Sequence, residues 1–288
     1  MDAQPIKSSY DIVPDLLGLI KRRRDGHEPI ISTPYTSFNG LVPGFYGGDL
    51  VVVAGRPSMG KTALAGSLAL HVANMGRPVL FFSLEMSAYQ IVGRILAGLS
   101  GILPTVIQSG QCSDESLAAF NATRERYAKA LKNFYIVDDS MVSAESFVYT
   151  AASFAASFEG GLGAIFIDYL QLMATGGGSE YREKDVAACS AATKRCARSL
   201  NTPVFLLSQL NRGVEMRSNK RPMLSDLRES GAIEQDADIV VFLFREEYYG
   251  GKDAIPGETE LIVSKHRNGP TGTARIYFDK ERVTFTNG

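Results

Sequence analysis

The sequence lacks any apolar run long enough to cross a bilayer, and its opening residues, Met-Asp-Ala-Gln-Pro, contain no apolar segment of signal-peptide type. A membrane partner is set aside on that basis, and a cytoplasmic setting is expected. Cysteine is scarce. Cys112, Cys189 and Cys196 are odd in number and lack metal-ligand spacing, which fits reduced structural thiols rather than disulfides or a metal centre. An excess of charge of one sign is also missing: 30 Lys and Arg face 31 Asp and Glu, so any nucleic-acid surface has to be local. No NKxD segment for guanine recognition and no LSGGQ segment occurs, which sets aside GTPases and ABC-type ATPases. No internal repeat is visible.

What is present is a strand-and-helix alternation in a chain of 288 residues, 45% of them hydrophobic. That is enough for one large α/β domain. Arg77–Phe82, Phe134–Val137, Ala164–Ile167 and Pro203–Leu207 are continuous apolar runs, as expected of parallel strands covered on both faces. Asp185–Leu200 has helical composition. After Asp238 the texture changes to Ile239–Phe244, Thr259–Ser264 and Ala274–Phe278 with short Gly-rich turns, which predicts an antiparallel extension of the sheet. Thr175–Glu180 and Asn211–Pro222 are expected to be exposed loops.

The sharpest local signal comes after Leu50-Val51-Val52-Val53-Ala54. It is Gly55-Arg56-Pro57-Ser58-Met59-Gly60-Lys61-Thr62, and a stretch of helix-forming composition from Ala63 to Met75 comes next. A strand, a glycine loop and a helix in that order place backbone N–H groups and a helix N-terminus around phosphate oxygens. Lys61 can reach the β- and γ-phosphates and the Thr62 hydroxyl can ligate Mg²⁺, so a nucleoside triphosphate is the expected ligand.

Three strand ends add chemistry. Asp168 closes Ala164–Ile167, where a carboxylate can hold Mg²⁺ and its water shell; alternatively it simply closes the strand or caps the next segment. Glu85 comes directly after Val79–Leu84 and can polarise an attacking water, or it can serve as the N-cap acid of a helix starting near Ser87. Gln209 ends Val204–Ser208, where a neutral amide can report whether the γ-phosphate is present.

Ser83-Leu84-Glu85-Met86, Ile167-Asp168-Tyr169-Leu170-Gln171, Leu207-Ser208-Gln209-Leu210-Asn211-Arg212, the segment Asp226–Asp238 and Lys265-His266-Arg267-Asn268-Gly269-Pro270-Thr271-Gly272 together resemble the RecA-like motor domain of DnaB-type replicative helicases. The resemblance runs in consistent order from about Thr33 to the C-terminus. It implies a RecA-like P-loop NTPase fold, with a mostly parallel central sheet flanked by helices and an antiparallel C-terminal extension. It implies ATP and Mg²⁺ as cofactors, a homo-hexameric ring moving 5′ to 3′ along single-stranded DNA, and primase and a helicase loader as partners. The setting is a bacterial cytoplasm, for a host or a phage protein. By resemblance Lys61, Glu85 and Gln209 act in catalysis and Thr62 and Asp168 hold the metal.

Lys265 and Arg267 end a strand whose turn, Asn268-Gly269, leads into the next. A hairpin with two cations there is poorly placed to reach its own nucleotide, and the resemblance makes it a finger reaching the neighbour's γ-phosphate; alternatively it is a solvated cationic turn. Arg212, Arg217, Lys220 and Arg221 face a single Glu215 in Asn211–Pro222, a loop that would hold DNA phosphates or would be plain surface. Tyr181, directly after the first loop, is the only aromatic residue in or next to the two loops, which favours backbone tracking over base stacking. By resemblance Arg228, Glu229 and Gly231 lie against the strand's phosphates.

Residues 1–32 form a linker helix and connector ahead of the motor, residues 33–288. Ile12, Val13, Leu16, Leu17 and Ile20 make an apolar face on Asp11–Arg24, which ends in Lys21-Arg22-Arg23-Arg24. The helix resembles one that packs on the adjacent subunit; folding onto its own domain is the alternative. Two other functions stay open: a single-strand-binding ATPase that does not unwind, such as a recombination or loading factor, and a nucleotide-gated assembly protein.

Overall fold

The computed structural model describes residues 6–26, 30–173, 182–251 and 254–288, leaving aside the side chains of residues 172, 182–183 and 228–230. The chain divides into two units, Met1–Ile31 and Ser32–Gly288. The first contains helix α1, Ser9–Arg24, started by Ser8, whose Oγ accepts the Asp11 N–H at 3.2 Å. Lys21–Arg24 fill its last turn, where cations meet the negative end of the helix dipole. No residue of α1 is buried.

In the second unit the strands are β1 (Leu50–Gly55), β2 (Val79–Ser83), β3 (Phe134–Asp138), β4 (Ala164–Asp168) and β5 (Val204–Gln209). They continue with β6 (Ile239–Phe244), β7 (Glu258–His266), β8 (Gly272–Asp279) and β9 (Thr284–Thr286). The helices are α2 (Thr36–Asn39), α3 (Lys61–Asn74), α4 (Ala88–Ser100), α5 (Pro104–Ser109) and α6 (Asp114–Arg126). Further along come α7 (Ala128–Lys132), α8 (Ala144–Ala155), α9 (Leu170–Met173), α10 (Arg182–Ser199) and α11 (Gly231–Asp236).

One sheet of nine strands runs in the order β3-β2-β4-β5-β1-β6-β7-β8-β9. The six from β3 to β6 are parallel, and β7, β8 and β9 are added antiparallel. This is the RecA-like P-loop arrangement. The expectation for Ile239–Phe244 is corrected: β6 belongs to the parallel set beside β1, and the antiparallel extension begins one strand later, at β7. Local texture could not separate the two, because a strand covered on both faces is a continuous apolar run whichever way its neighbour points.

Every residue of β1, β2, β4 and β6 is buried, which accounts for their unbroken apolar runs. On one face Phe81, Phe166 and Phe205 stand in register across β2, β4 and β5, with Phe166 stacked 4.6 Å from Phe205 and 5.8 Å from Phe81. Phe82 turns to the other face and meets Phe147 of α8 edge-on at 5.0 Å. Rigid aromatic filling fixes the relative height of the strands, and with it the alignment of their C-terminal ends. In open α/β sheets ligands bind outside those ends.

Candidate nucleotide site

The loop between β1 and α3 is built around Gly60, whose φ of +97° belongs to the left-handed region. A Cβ there would lie 2.8 Å from the Phe285 ring, so conformation and space both demand glycine. Lys61 and Thr62 open α3, which aims the helix N-terminus and both side chains into one cleft. The Lys61 ammonium donates to the carbonyls of Gly55 at 2.9 Å and Arg56 at 3.2 Å. Burial pulls its pKa down to about 8, against the attraction of Asp168 and Glu85.

β5 separates β1 from β4 in the sheet, and α3, packed over β5 and β4, carries Thr62 across to Asp168. Thr62 Oγ1 donates to Asp168 Oδ2 at 2.6 Å. Asp168 is 3% exposed, and burial pushes its carboxyl up to about 6 despite the Thr62 hydrogen bond and the nearby Lys61. A buried carboxylate next to a hydroxyl is a pair of hard oxygen donors in need of a cation. Mg²⁺ fits that set, because it takes one or two protein oxygens and fills its remaining positions with phosphate and water.

A cleft of about 500 Å³ gathers Lys61, Thr62, Glu85, Asp168, Gln209 and Arg94. Glu85 is exposed in it. The N-cap alternative for Glu85 does not hold: Ser87 caps α4, its Oγ accepting the Gln90 N–H while Gln90 answers through its side chain. Gln209 reaches the cleft from the end of β5, where Gln171 ties the backbone by accepting the Gln209 N–H at 3.3 Å and donating to Ser208 Oγ at 3.0 Å. Arg94, on α4, has no sequence signal of its own beyond standing nine positions after Glu85. Phe278 and Val283 close another side of the cleft.

Arg56, Pro57, Ser58 and Met59 complete the loop. The Arg56 guanidinium turns away from the cleft to Leu210 and Glu215, Ser58 takes φ +64°, and Met59 is buried. Arg245, 3% exposed, donates to the Ser58 carbonyl at 3.3 Å and lies 4.6 Å over the Phe278 ring. It braces the loop from below and was not found from sequence, since an isolated Arg at a strand end carries no motif.

Lys265 and Arg267 lie at the opposite end of the strands from the loop, at the start of β1 and β6. β7 runs antiparallel to β6, so the strand ends beside Ile239 and the start of β1 rather than beside Gly55. The length of β1 at ~3.3 Å per residue separates that end from the loop by on the order of 15–20 Å. Lys265 donates to the Glu234 and Gln235 carbonyls at 2.5 and 3.4 Å, and Arg267 to the Gln235 carbonyl at 3.3 Å.

Among the residues expected on DNA, the structure divides the cations of Asn211–Pro222. Arg217 makes a forked contact to both oxygens of Asp226 at 2.9 and 2.8 Å. Arg221 grips Glu260 in the same manner at 3.0 and 2.7 Å. Both are tied down to buried carboxylates, and such a forked pair spends the charge that a phosphate would need. The segment is accordingly only partly a free loop: a 3₁₀ turn spans Arg212–Met216 and Val214 and Pro222 are buried. Arg212 is exposed, Lys220 sits 5.2 Å over the Tyr249 ring, and Gly231 is exposed at the start of α11. The Arg228 and Glu229 side chains, Tyr181 and the loop 175–180 lie outside the described residues.

The family model for the DnaB-like helicase C terminal domain matches residues 31–287. A replicative DNA helicase DnaB of Buchnera aphidicola is 43% identical over 258 residues, covering 89% of this chain and 56% of that protein. The DnaB of Geobacillus stearothermophilus is 42% identical over 266 residues, covering 92% and 58%. The chain thus spans a little over half the length of these relatives. Among solved structures, the ATPase domain of G40P superposes with a TM-score of 0.88 at 31% identity, covering 98% of this chain and all of that one. A DnaB-like replicative helicase, studied for its interactions with primase, gives 0.85 at 30% identity, covering all of this chain and 68% of that one.

Proposed function

Because this chain belongs to the DnaB-like helicase C-terminal domain family, we propose that it is an ATP-driven DNA helicase motor that works as a ring, with each nucleotide shared between neighbouring subunits. The observation that carries the ring is the distance between two pieces of one machine. The phosphate loop and the Lys265/Arg267 pair sit at opposite strand ends of one sheet, so neither cation serves its own loop, whereas a neighbour's loop can meet them across an interface.

The cleft supplies the chemistry. Loop amides and the α3 N-terminus bind the phosphates, and Lys61 leaves its two carbonyl partners for the β- and γ-oxygens. Thr62 and Asp168 would hold Mg²⁺, which when bound would supply charge neutralisation for the phosphates. Glu85 accepts a proton from water as the water oxygen bonds to the γ-phosphorus and the bond to the β-phosphate oxygen breaks, leaving ADP. Gln209 senses the γ-phosphate and passes its state through Leu210 and Asn211 to the segment carrying Arg212. Arg267, supported by Lys265, offsets the spreading negative charge from the adjacent subunit. DNA phosphates are held by Arg212, Lys220 and the Arg228–Gly231 segment, without base reading. Six subunits, 5′-to-3′ movement, and primase and loader contacts are the finer parts of the same reading.

Mixing separates a shared site from a self-contained one. Arg267→Ala keeps a good loop and Lys61→Ala a good finger, so each alone is inactive and the mixture regains turnover that rises with protein concentration. A forked-duplex assay tests the motor. Strand-stimulated ATPase without unwinding would point instead to a recombination or loading factor, and hydrolysis indifferent to DNA to an assembly protein.

A further inference from the structure

The geometry points to Asp238 as the positioning residue for the Arg267 finger, an inference that rests on the trans reading of Arg267. Asp238 immediately precedes β6 and is 6% exposed. Its Oδ2 accepts the Leu50 N–H at 2.8 Å and pairs with the Lys194 ammonium, which alone would satisfy a structural carboxylate at the start of a strand. Its other oxygen, Oδ1, faces the Arg267 guanidinium at 3.4 Å. The backbone repeats the link: the Asp238 carbonyl accepts the Arg267 N–H at 2.8 Å, and its N–H donates to the Leu50 carbonyl at 2.9 Å.

Arg267 leaves a strand end with a side chain 53% exposed, and beyond its 3.3 Å bond to the Gln235 carbonyl it would sweep many rotamers without a fixed charge beside it. A buried anion behind it narrows that sweep. The contact is long, and a guanidinium has five N–H donors, so outward-facing donors remain for a phosphate. Asp238 is buried and cannot itself touch the neighbour's nucleotide. It acts through Arg267.

A positioning role is needed only in the subunit that supplies the finger, whereas a purely structural role is needed in every subunit. The experiment uses paired mixtures measured by ATPase rate and KM for ATP. Lys61→Ala chains donate fingers to Arg267→Ala chains. Placing Asp238→Asn on the Lys61→Ala donor is expected to cut the recovered rate on the order of tenfold with KM unchanged. Placing it on the Arg267→Ala acceptor is expected to change the recovered rate less than twofold. Equal losses on both sides, or no loss on the donor, overturn the proposal. A second donor, Lys61→Ala with Lys194→Met, removes the other cation on the same carboxylate. It is expected to melt earlier yet donate normally, and loss of donation there also overturns the proposal. No recovery in the parent mixture under conditions where mixed rings form removes the trans finger itself, and this inference with it; the two failures are therefore distinct.

Discussion

Arg56 of the phosphate loop donates its Nε–H to the Glu215 carboxylate at 2.8 Å, while its Nη1 donates to the Leu210 carbonyl at 2.8 Å. The loop that holds phosphate is therefore bonded to the segment that carries Arg212 and to the residue directly after Gln209. Arg56 is 9% exposed along its side chain and Glu215 38%, so the pair is shielded on one side only. Glu215→Gln is expected to cost stability on the order of 1 kcal/mol or less. Its larger effect should be on coupling. Stimulation of the ATPase by single-stranded DNA should fall severalfold, while the DNA-free rate changes less than twofold. Unchanged stimulation would show that the bond carries no signal.

Lys61→Ala and Glu85→Gln should separate binding from turnover. The first removes a charge that meets phosphate in the ground state, and nucleotide affinity should drop together with rate. The second removes only the acceptor for the water's proton, so binding should persist while kcat falls on the order of 10²–10⁴-fold. A wild-type rate for Glu85→Gln would displace Glu85 as the base.

Asp168 makes a pH prediction whose sign can be worked through. Its carboxyl is pushed from 3.8 to about 6 by burial, so the charged form is disfavoured in the ligand-free fold. The penalty is fully present above about pH 6 and absent below about 3.8. Lys61 behaves oppositely, its penalty being present below about 8 and gone above 10.5. Between pH 6 and 8 both groups are charged, as the proposed phosphate and metal roles require. Asp168→Asn should therefore stabilise the ligand-free protein at pH 7 by on the order of 1–3 kcal/mol. The gain should vanish toward pH 4 in paired urea titrations, and Mg²⁺-dependent hydrolysis should be lost. A gain that grows toward low pH would contradict burial as the cause.

The two kinds of basic residue after β5 should part company under mutation. Arg212→Ala should weaken single-strand binding about equally across sequences and reduce the salt slope by up to about one. Arg217→Ala leaves Asp226, which is 8% exposed, without its forked partner, so its first effect should be on melting, on the order of 1–3 kcal/mol. A normal melt with a flattened salt slope for Arg217→Ala would return that residue to the DNA surface.

Much of the site was legible because its signals are local. Gly60 and Lys61 stand in a glycine loop between an apolar run and a helix, and Asp168, Glu85 and Gln209 each end such a run. A strand buried on both faces must be apolar and stop where polar chemistry starts, so chain order alone placed these groups at strand ends. The resemblance in Asp226–Asp238 and Lys265–Gly272 is what suggests the finger role proposed for Arg267. Sequence did not contain the pairing of strands distant in the chain. The packing of α3 over β5 and β4 brings Thr62 to 2.6 Å from Asp168 although 106 residues separate them. The parallel setting of β6 and the antiparallel return of β7 put Arg267 at the far strand end, beside Asp238. Ion pairing was equally hidden: Arg217 and Arg221 look like free cations until folding delivers Asp226 and Glu260 to them. Hydrophobic periodicity reports which face of an element is buried. Which partner covers it, and which charge ends up beside which, is decided by contacts whose cost and gain exist only once the sheet has formed.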